Sequence, residues 1–402
     1  MVIEPRIRNN ICVNAHPRGC AAQVDAQVDY VRRRERYGGP GRVLVVGATN
    51  GYGLAARIVS AFGSGAATVG VGYEKPPTAG RTATAGWYNA EAFLQEARRN
   101  ALPAWNLNGD AFTDAVKDEV AAVVAGHLGQ IDLLVYSIAA PRRIDPDTGN
   151  IYTSVIKPLD RPLTELSVDF LTGRVTEITA EPATRQEVAA TVKVMGGEDW
   201  KRWIEQLSSR NLLATGFHTV AFSYIGSVHT RRLYRDGTIG MAKKDLEQKA
   251  LDIQSLLAPL HGKAQISVNK ALITRASAVI PAVPLYIALL YRVMKEKGLH
   301  EGCIQQMYRM AHDRLYSARP LQTDSRGRIR MDDWEMRDDV QKAISERWET
   351  IRREEITDLN GSDLADIAGM RAEFLRHHGF GMPGIDYGHD ADPQTIGQPA
   401  GD

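Results

Sequence analysis

The chain lacks the features that would place it in a membrane or an oxidising compartment. Three cysteines in 402 residues are too few for a disulfide framework, so a cytoplasmic location is expected. No apolar run reaches the roughly 18 residues a spanning helix needs, so no membrane span is expected. The longest, PAVPLYIALLYRVM at 281–294, carries two early prolines. The opening MVIEPRIRNN has no apolar core, so no leader is expected. Net charge is missing too. With 49 Lys and Arg against 48 Asp and Glu, there is no electrostatic ground for a nucleic-acid partner or an anionic surface. There is no internal repeat.

What the chain does have is alternation of strand and helix, the pattern of a parallel sheet. Arg42–Val46 (RVLVV) is an unbroken apolar strand, as expected when both faces are covered. A helix from about Tyr52 to Phe62 follows, then a strand at Ala67–Gly72, a helix at Glu91–Asn100 and a strand at Ala104–Leu107. A helix at Ala115–Leu128 and a strand at Ile131–Ser137 complete the first half. From about 140 to 197 the alternation breaks. This stretch holds a hairpin, LTELSVDF and VTEITAEP around LTGR, and reads as an insertion. Helix, strand (Thr219–Tyr224), helix (about Gly240–Leu260) and strand (Ala264–Val268) then resume. Three helical patterns between about 299 and 380 finish the chain, one of them at Asp333–Ile351 with Trp334, Ile344, Trp348 and Ile351 on one face. The last twenty residues are expected to lack regular structure.

The first strand runs into VVGATNGYGLAAR, where Gly47, Gly51 and Gly53 sit between strand and helix. This is the context of a dinucleotide site: a tight turn, a close backbone approach to pyrophosphate, and a helix N-terminus for the phosphates. Glu74, at the end of the second strand, can accept from both adenosine ribose hydroxyls and would repel a 2′-phosphate, favouring NADH over NADPH. Asp110, after the third strand, either accepts from the adenine amino group beside Ala111 or only caps the next helix. The small apolar Ile138–Ala140 after the fourth strand leaves room for ribose and nicotinamide. The whole reads as an α/β fold, a Rossmann-type doubly wound parallel sheet flanked by helices. The chain, 1–402, is expected to form one integrated domain.

YRDGTIGMAKK, from Tyr234 to Lys244, supplies candidate chemistry. Gly237 and Gly240 disfavour helix interior, so a helix starts near Gly240 and Tyr234 lies on the preceding loop. The loop can fold Tyr234 back over the turn from which Lys243 projects. Lys243 would hold nicotinamide-ribose hydroxyls and lower the tyrosine pKa. Spacing alone does not separate Lys243 from Lys244. Tyr224, in AFSYIGS at a strand end, converges on the same place.

With Tyr-x8-Lys, VGATNGYGLAAR, ATAGWYN, NGDAF, VMGGEDW, AFSYIG, SVNKALITRAS, MKEKGLHEGC and DDWEMRDDVQ, the chain resembles the FabV-type trans-2-enoyl-CoA/enoyl-ACP reductases, enlarged relatives of the short-chain dehydrogenase/reductases. The resemblance spans nearly the whole length. It implies an NADH-using monomer that reduces the trans-2 double bond of an enoyl-CoA or a carrier-protein-bound enoyl substrate. It further implies that Gly47, Ala48, Thr49, Asn50, Gly51 and Tyr52 cradle the dinucleotide, and that Tyr73 and Glu74 meet the adenosine ribose. Asp110, Ala111, Ile138 and Ala139 would line the far side. Lys243, Leu272, Ile273 and Thr274 would hold the nicotinamide half, Tyr224 would touch substrate and Tyr234 would donate the proton. The chain departs from the family pattern at Thr153, Asp160, Arg231, Arg232 and Arg275, near the expected substrate mouth, which leaves open a specialised enone or carbonyl substrate. A non-catalytic NADH-binding protein is the alternative from another class.

Other signals carry less. Cys12, His16 and Cys20 have metal-like spacing without an evident fourth ligand, so no metal is expected. YVRRRERYGG reads as a solvated helix end, or a basic patch for CoA phosphates, and RHHG as a helix end. The apolar helix at 281–291 reads either as an acyl-chain wall or as core.

Overall fold

A computed structural model describes residues 1–8, 11–274 and 283–396. The strands, in chain order, are β1 (Ile7–Arg8), β2 (Ile11–Cys12), β3 (Arg42–Val46), β4 (Ala67–Gly72), β5 (Ala104–Asn108), β6 (Ile131–Tyr136), β7 (Arg142–Ile144) and β8 (Ile151–Thr153). They continue with β9 (Leu163–Val168), β10 (Val175–Ala180), β11 (Leu213–Ser223), β12 (Lys263–Val268) and β13 (Ile329–Arg330). Seven of them form one parallel sheet in the order β13-β12-β11-β6-β3-β4-β5. The chain runs outward from β3 to β5, then crosses back to lay β6 beside β3. That reversal opens a crevice at the strand carboxyl ends, the ligand position in open α/β sheets.

Both faces of the sheet are covered, which is why its strands are apolar without alternation. Val43, Val45, Leu133 and Val135 pack with α1 (Pro17–Arg32), α2 (Gly51–Val59) and α3 (Ala85–Arg99). Leu44, Val46 and Leu134 face α4 (Asp114–Val123), α6 (Glu198–Ser209) and α7 (Thr238–Leu257). The insertion adds the pairs β7/β8 and β9/β10 and helix α5 (Arg185–Met195). A third core joins Val168, Phe170 and Val175 of the insertion to α8 (Val283–Glu296), α10 (Asp338–Arg353) and α11 (Ile367–Arg376). Helix α9 (Cys303–Arg309) lies against α2.

The main sheet follows the expected strands, and four differences have local causes. Helix α3 starts six residues earlier than expected, because its first turns bury Ala85, Gly86 and Asn89, which carry no amphipathic signal. Strand β11 begins at Leu213, before a register shift near Gly216 (φ +75°) that interrupts its pattern. Helix α10 starts at Asp338, because Asp333 and Glu335 are drawn inward by Arg309 and Ala271. Trp334 therefore precedes the helix instead of sharing its face. From Val283 to Tyr291, α8 is buried in its own core, so its described part packs as a core helix. Residues 281 and 282 lie outside the described residues. No described helix is long and apolar enough to cross a membrane.

Candidate active site at the sheet's carboxyl edge

The turn after β3 is shaped by close approach. Gly47 has φ +88°, and a Cβ there would lie 2.2 Å from the Ser137 carbonyl oxygen. A Cβ on Gly53 would lie 1.9 Å from the Gly47 carbonyl oxygen, so strand and helix meet only with glycine at both positions. Gly51 has φ +52° and opens α2. Asn50 is the N-cap residue, yet its side chain makes no capping bond. It turns instead to Thr49 and Glu74, at 3.2 and 3.1 Å. The first N–H groups of α2 are left for an anion. Asn89 braces the turn through the Thr49 carbonyl and the Asn50 side chain.

Glu74 stands beside this turn. Its Oε1 accepts from Thr49 Oγ1 at 2.7 Å, and α3 comes so near that a Cβ on Gly86 would meet that oxygen at 2.0 Å. Tyr73 is exposed next to it. Asp110 accepts from the Phe112 N–H. The N-cap of α4 is Thr113, which accepts from the Val116 N–H, so Asp110 does not cap that helix. The Ala111 carbonyl accepts from Lys117, which is buried and paired with Asp199 at 2.8 Å. Ile138 and Ala139 follow β6 across from Gly47. Leu272 and Ile273 are buried after β12. The Ile273 N–H donates to the Tyr291 hydroxyl and its carbonyl contacts His377. Thr274 reaches the turn: its methyl lies 3.9 Å from the Cβ position of Gly51. Tyr52 ties the turn to the same segment through the Lys270 carbonyl at 2.8 Å. These residues fit a dinucleotide.

Helix α7 begins at Thr238, with Tyr234 on the turn before it. Gly240 makes this arrangement possible. A Cβ there would lie 2.0 Å from the Arg235 carbonyl oxygen and 2.4 Å from that of Tyr234. The Tyr234 ring is 8% exposed and packs edge-on to Tyr224, with centroids 4.7 Å apart. Lys243 points into the sheet edge and donates to the Phe222 carbonyl at 3.1 Å. Lys244 is exposed, with Met241 sulfur as its contact, so geometry separates the two lysines where spacing did not. Burial lowers the Lys243 pKa to about 8. Lowering of the Tyr234 pKa is not what the structure gives: burial, and then the Glu335 carboxylate, push it up.

Glu335 is the residue that sequence reasoning missed. It is fully buried. Its Oε1 accepts from Tyr286 at 2.7 Å and Tyr224 at 3.2 Å, and its Oε2 from the Ala271 N–H at 2.7 Å. Burial, then Asp332, raises its pKa to about 7 despite these bonds. Buried Lys270, whose ammonium lies 5.0 Å from the Tyr291 ring centroid, is the nearby cation. The stretch around Glu335, DDWEMRDD, stands out in the sequence only as part of the resemblance and as the start of the helix expected at 333–351.

The departures near the expected mouth pair with neighbours. Arg232 reaches Asp160 at 3.4 Å and Arg231 reaches Asp236 at 2.7 Å. Thr153 lies exposed on β8, and Arg275 is outside the described residues. His16 caps α1 through the Gly19 N–H. Among the described residues no group of three or more His, Cys, Asp or Glu could hold a metal. Arg34 lies over the Tyr30 ring at the end of α1, and His377 ends α11.

Comparisons with known proteins point to one family. The family profile described as the trans-2-enoyl-CoA reductase catalytic region covers residues 81–316. The NAD(P)H binding domain of trans-2-enoyl-CoA reductase covers 2–79. An enoyl-[acyl-carrier-protein] reductase [NADH] of Opitutus terrae is 51% identical over 98% of this chain and 99% of its own. The Clostridium acetobutulicum trans-2-enoyl-CoA reductase, in complex with NADH, superposes with TM-score 0.95 at 43% identity, covering 99% of this chain and 100% of that one. The Treponema denticola enzyme, in complex with NAD, gives 0.93 at 49%, covering 97% and 98%. A third profile, described as an enoyl reductase FAD binding domain, covers 323–391. The residues there do not fit a flavin dinucleotide. The first turn of α10 carries Asp338 and Asp339 and the N-cap of α11 is Asp366, so both helix starts would repel a pyrophosphate.

Proposed function

The chain belongs to the trans-2-enoyl-CoA reductase family and is an NADH-dependent enoyl-thioester reductase; we propose that Tyr234 is its proton donor and Lys243 its cofactor-holding lysine. Bound NADH supplies the hydride that the β-carbon of the trans-2-enoyl thioester accepts. As negative charge collects on the thioester oxygen, the Tyr234 hydroxyl donates to it, a preorganised stabilisation. The raised Tyr234 pKa keeps the proton in place until that charge develops. The same hydroxyl then delivers the proton to the α-carbon, directly or from solvent.

The supporting observation is the edge-on packing of Tyr234 on Tyr224, at the same sheet edge as Lys243 and the glycine turn. In this reading Gly47–Tyr52 cradle the pyrophosphate, and Tyr73 and Glu74 take the adenosine ribose. Asp110, Ala111, Ile138 and Ala139 line the crevice, while Lys243 and Leu272–Thr274 hold the nicotinamide half. Tyr224 packs along the substrate. Arg231 and Arg232 pair with Asp236 and Asp160 at the surface, and the enoyl reductases that the chain resembles at about half identity support an enoyl thioester as its substrate. The reading also takes the chain as one integrated domain, acting as a monomer in a reducing cytoplasm, with a CoA or carrier-protein thioester as substrate.

The test is Tyr234→Phe, with NADH oxidation on crotonyl-CoA followed at 340 nm. Turnover should fall by about two to four orders of magnitude, the usual worth of a general acid, with NADH binding retained. Near-normal turnover would remove Tyr234 from the mechanism.

A further inference from the structure

We propose that Glu335 is a positioning residue that assigns the donor role to Tyr234 by taking the Tyr224 hydroxyl hydrogen for itself. This rests on the reading of Tyr234 given above. Two phenols meet at the sheet edge, and each has one hydrogen to give. The Tyr224 hydrogen is spent on Glu335 Oε1, 3.2 Å away, so it does not point at substrate. The Tyr286 hydroxyl donates to the same oxygen and accepts from Gln341, which fixes the second phenol from behind. The Ala271 N–H donates to Oε2. As a carboxylate, Glu335 accepts three bonds and is satisfied by them, a closed arrangement for a buried charge.

The direction of these bonds can be reversed without changing shape. The Ala271 N–H is a fixed donor, so in Glu335→Gln the amide oxygen must face Ala271. The amide NH2 then faces the two phenol oxygens and donates to them. The Tyr224 hydrogen is released. Protonation of Glu335 acts in the same direction but less completely: Oε2 stays an acceptor for Ala271, and the one new proton on Oε1 reverses the bond to one of the two phenols, so the Tyr224 hydrogen is freed in part. Among the described residues, the charged and titratable groups that act on Glu335, or feel its charge, are Lys270, Asp332, Tyr52, Tyr224, Tyr286 and Tyr234. Arg330 holds Asp332. With the Glu335 carboxyl raised to about 7, both states are reached near neutral pH.

The test is rescue. Tyr234→Phe/Glu335→Gln should turn over crotonyl-CoA at least about tenfold faster than Tyr234→Phe, since a freed phenol recovers part of a general acid's contribution. Adding Tyr224→Phe should abolish the gain. A loss of packing would not produce rescue. A double variant that melts like the single one and binds NADH, yet is no faster, overturns the proposal. So does a gain that survives Tyr224→Phe. If Glu335→Gln does not fold, Tyr234→Phe alone decides. Its residual rate should rise as pH falls through about 7, and a flat profile overturns the proposal. Near-normal turnover of Tyr234→Phe refutes the proton-donor reading instead, and the proposal with it.

Discussion

Replacing Gly240 by alanine separates activity from stability. Gly240 lies in the first turn of α7, and the new Cβ would sit 2.0 Å from the Arg235 carbonyl oxygen and 2.4 Å from that of Tyr234. Ordinary contact begins near 3.4 Å, so the atoms must part by about 1 Å or more. Both obstacles are backbone, so no side-chain rotation relieves them. The turn carrying Tyr234 must move away from the helix. Overpacking costs about 1–3 kcal/mol, and the gain in helix propensity from glycine to alanine offsets about 1 kcal/mol. The net loss of stability is therefore about 0–2 kcal/mol. The catalytic loss is larger, because a shift of about 1 Å in a reacting group costs on the order of 100-fold in rate.

The assay is kcat on crotonyl-CoA, with NADH affinity by fluorescence titration and thermal melting beside it. Gly240→Ala should lower kcat about 100-fold, with NADH affinity held within about threefold because Gly47–Tyr52 are untouched. Gly126→Ala is the control. A Cβ there meets nothing within 4 Å, so activity should be unchanged. A Gly240→Ala enzyme with wild-type kcat would show that Tyr234 is not held by the approach of these two backbones.

Three further outcomes test the site. Lys117→Met leaves the Asp199 carboxylate buried beside Tyr136 and should cost about 3–5 kcal/mol in urea unfolding; adding Asp199→Asn should recover most of it, and additive losses would refute the pairing. Glu74→Gln should raise KM for NADH about tenfold and narrow its preference over NADPH, since the ribose hydroxyls lose a charged acceptor; unchanged cofactor preference would refute the role. Burial holds the Lys243 ammonium near 8, against 10.5 ordinarily. The unfolded chain therefore binds the extra proton between those values, and wild-type stability should climb relative to Lys243→Met as pH rises through that window. Parallel urea-melt profiles would contradict the depressed pKa.

The glycine turn and the sheet beneath it were legible because each part of them is a local rule. A strand covered on both faces must be apolar along its length, so β3, β4 and β6 stand out. A backbone at φ +88° beside a carbonyl must be glycine, so Gly47 stands out. Lys243 and Lys244 were not separable, since spacing does not say which one reaches Phe222. The reach of α3 was hidden because small and polar residues bury its first turns. Glu335 was hidden for a different reason. In sequence it is one acid among several, 64 residues beyond the Ala271 N–H it accepts from, and only tertiary structure shows that it is dry.

That distance decides what the C-terminal helices are for. A Rossmann sheet supplies the turn, Glu74 and the strand ends from its own carboxyl edge. It does not supply a wall behind Tyr224 and Tyr234. That wall comes from Tyr286 on α8, from Glu335 just before α10 and from Gln341 in the first turn of α10. Tyr234 and Ile239 lie in the same core as these helices and as Phe170 of the insertion. The insertion and the C-terminal third thus pack together against the turn that carries Tyr234. A cavity made at Trp348, which is 1% exposed in that core, costs about 3–5 kcal/mol for Trp→Ala. Its effect should therefore fall on turnover and on the nicotinamide contacts, since Leu272 and Ile273 share that core, before it reaches the Gly47–Gly51 turn, which is anchored to the sheet.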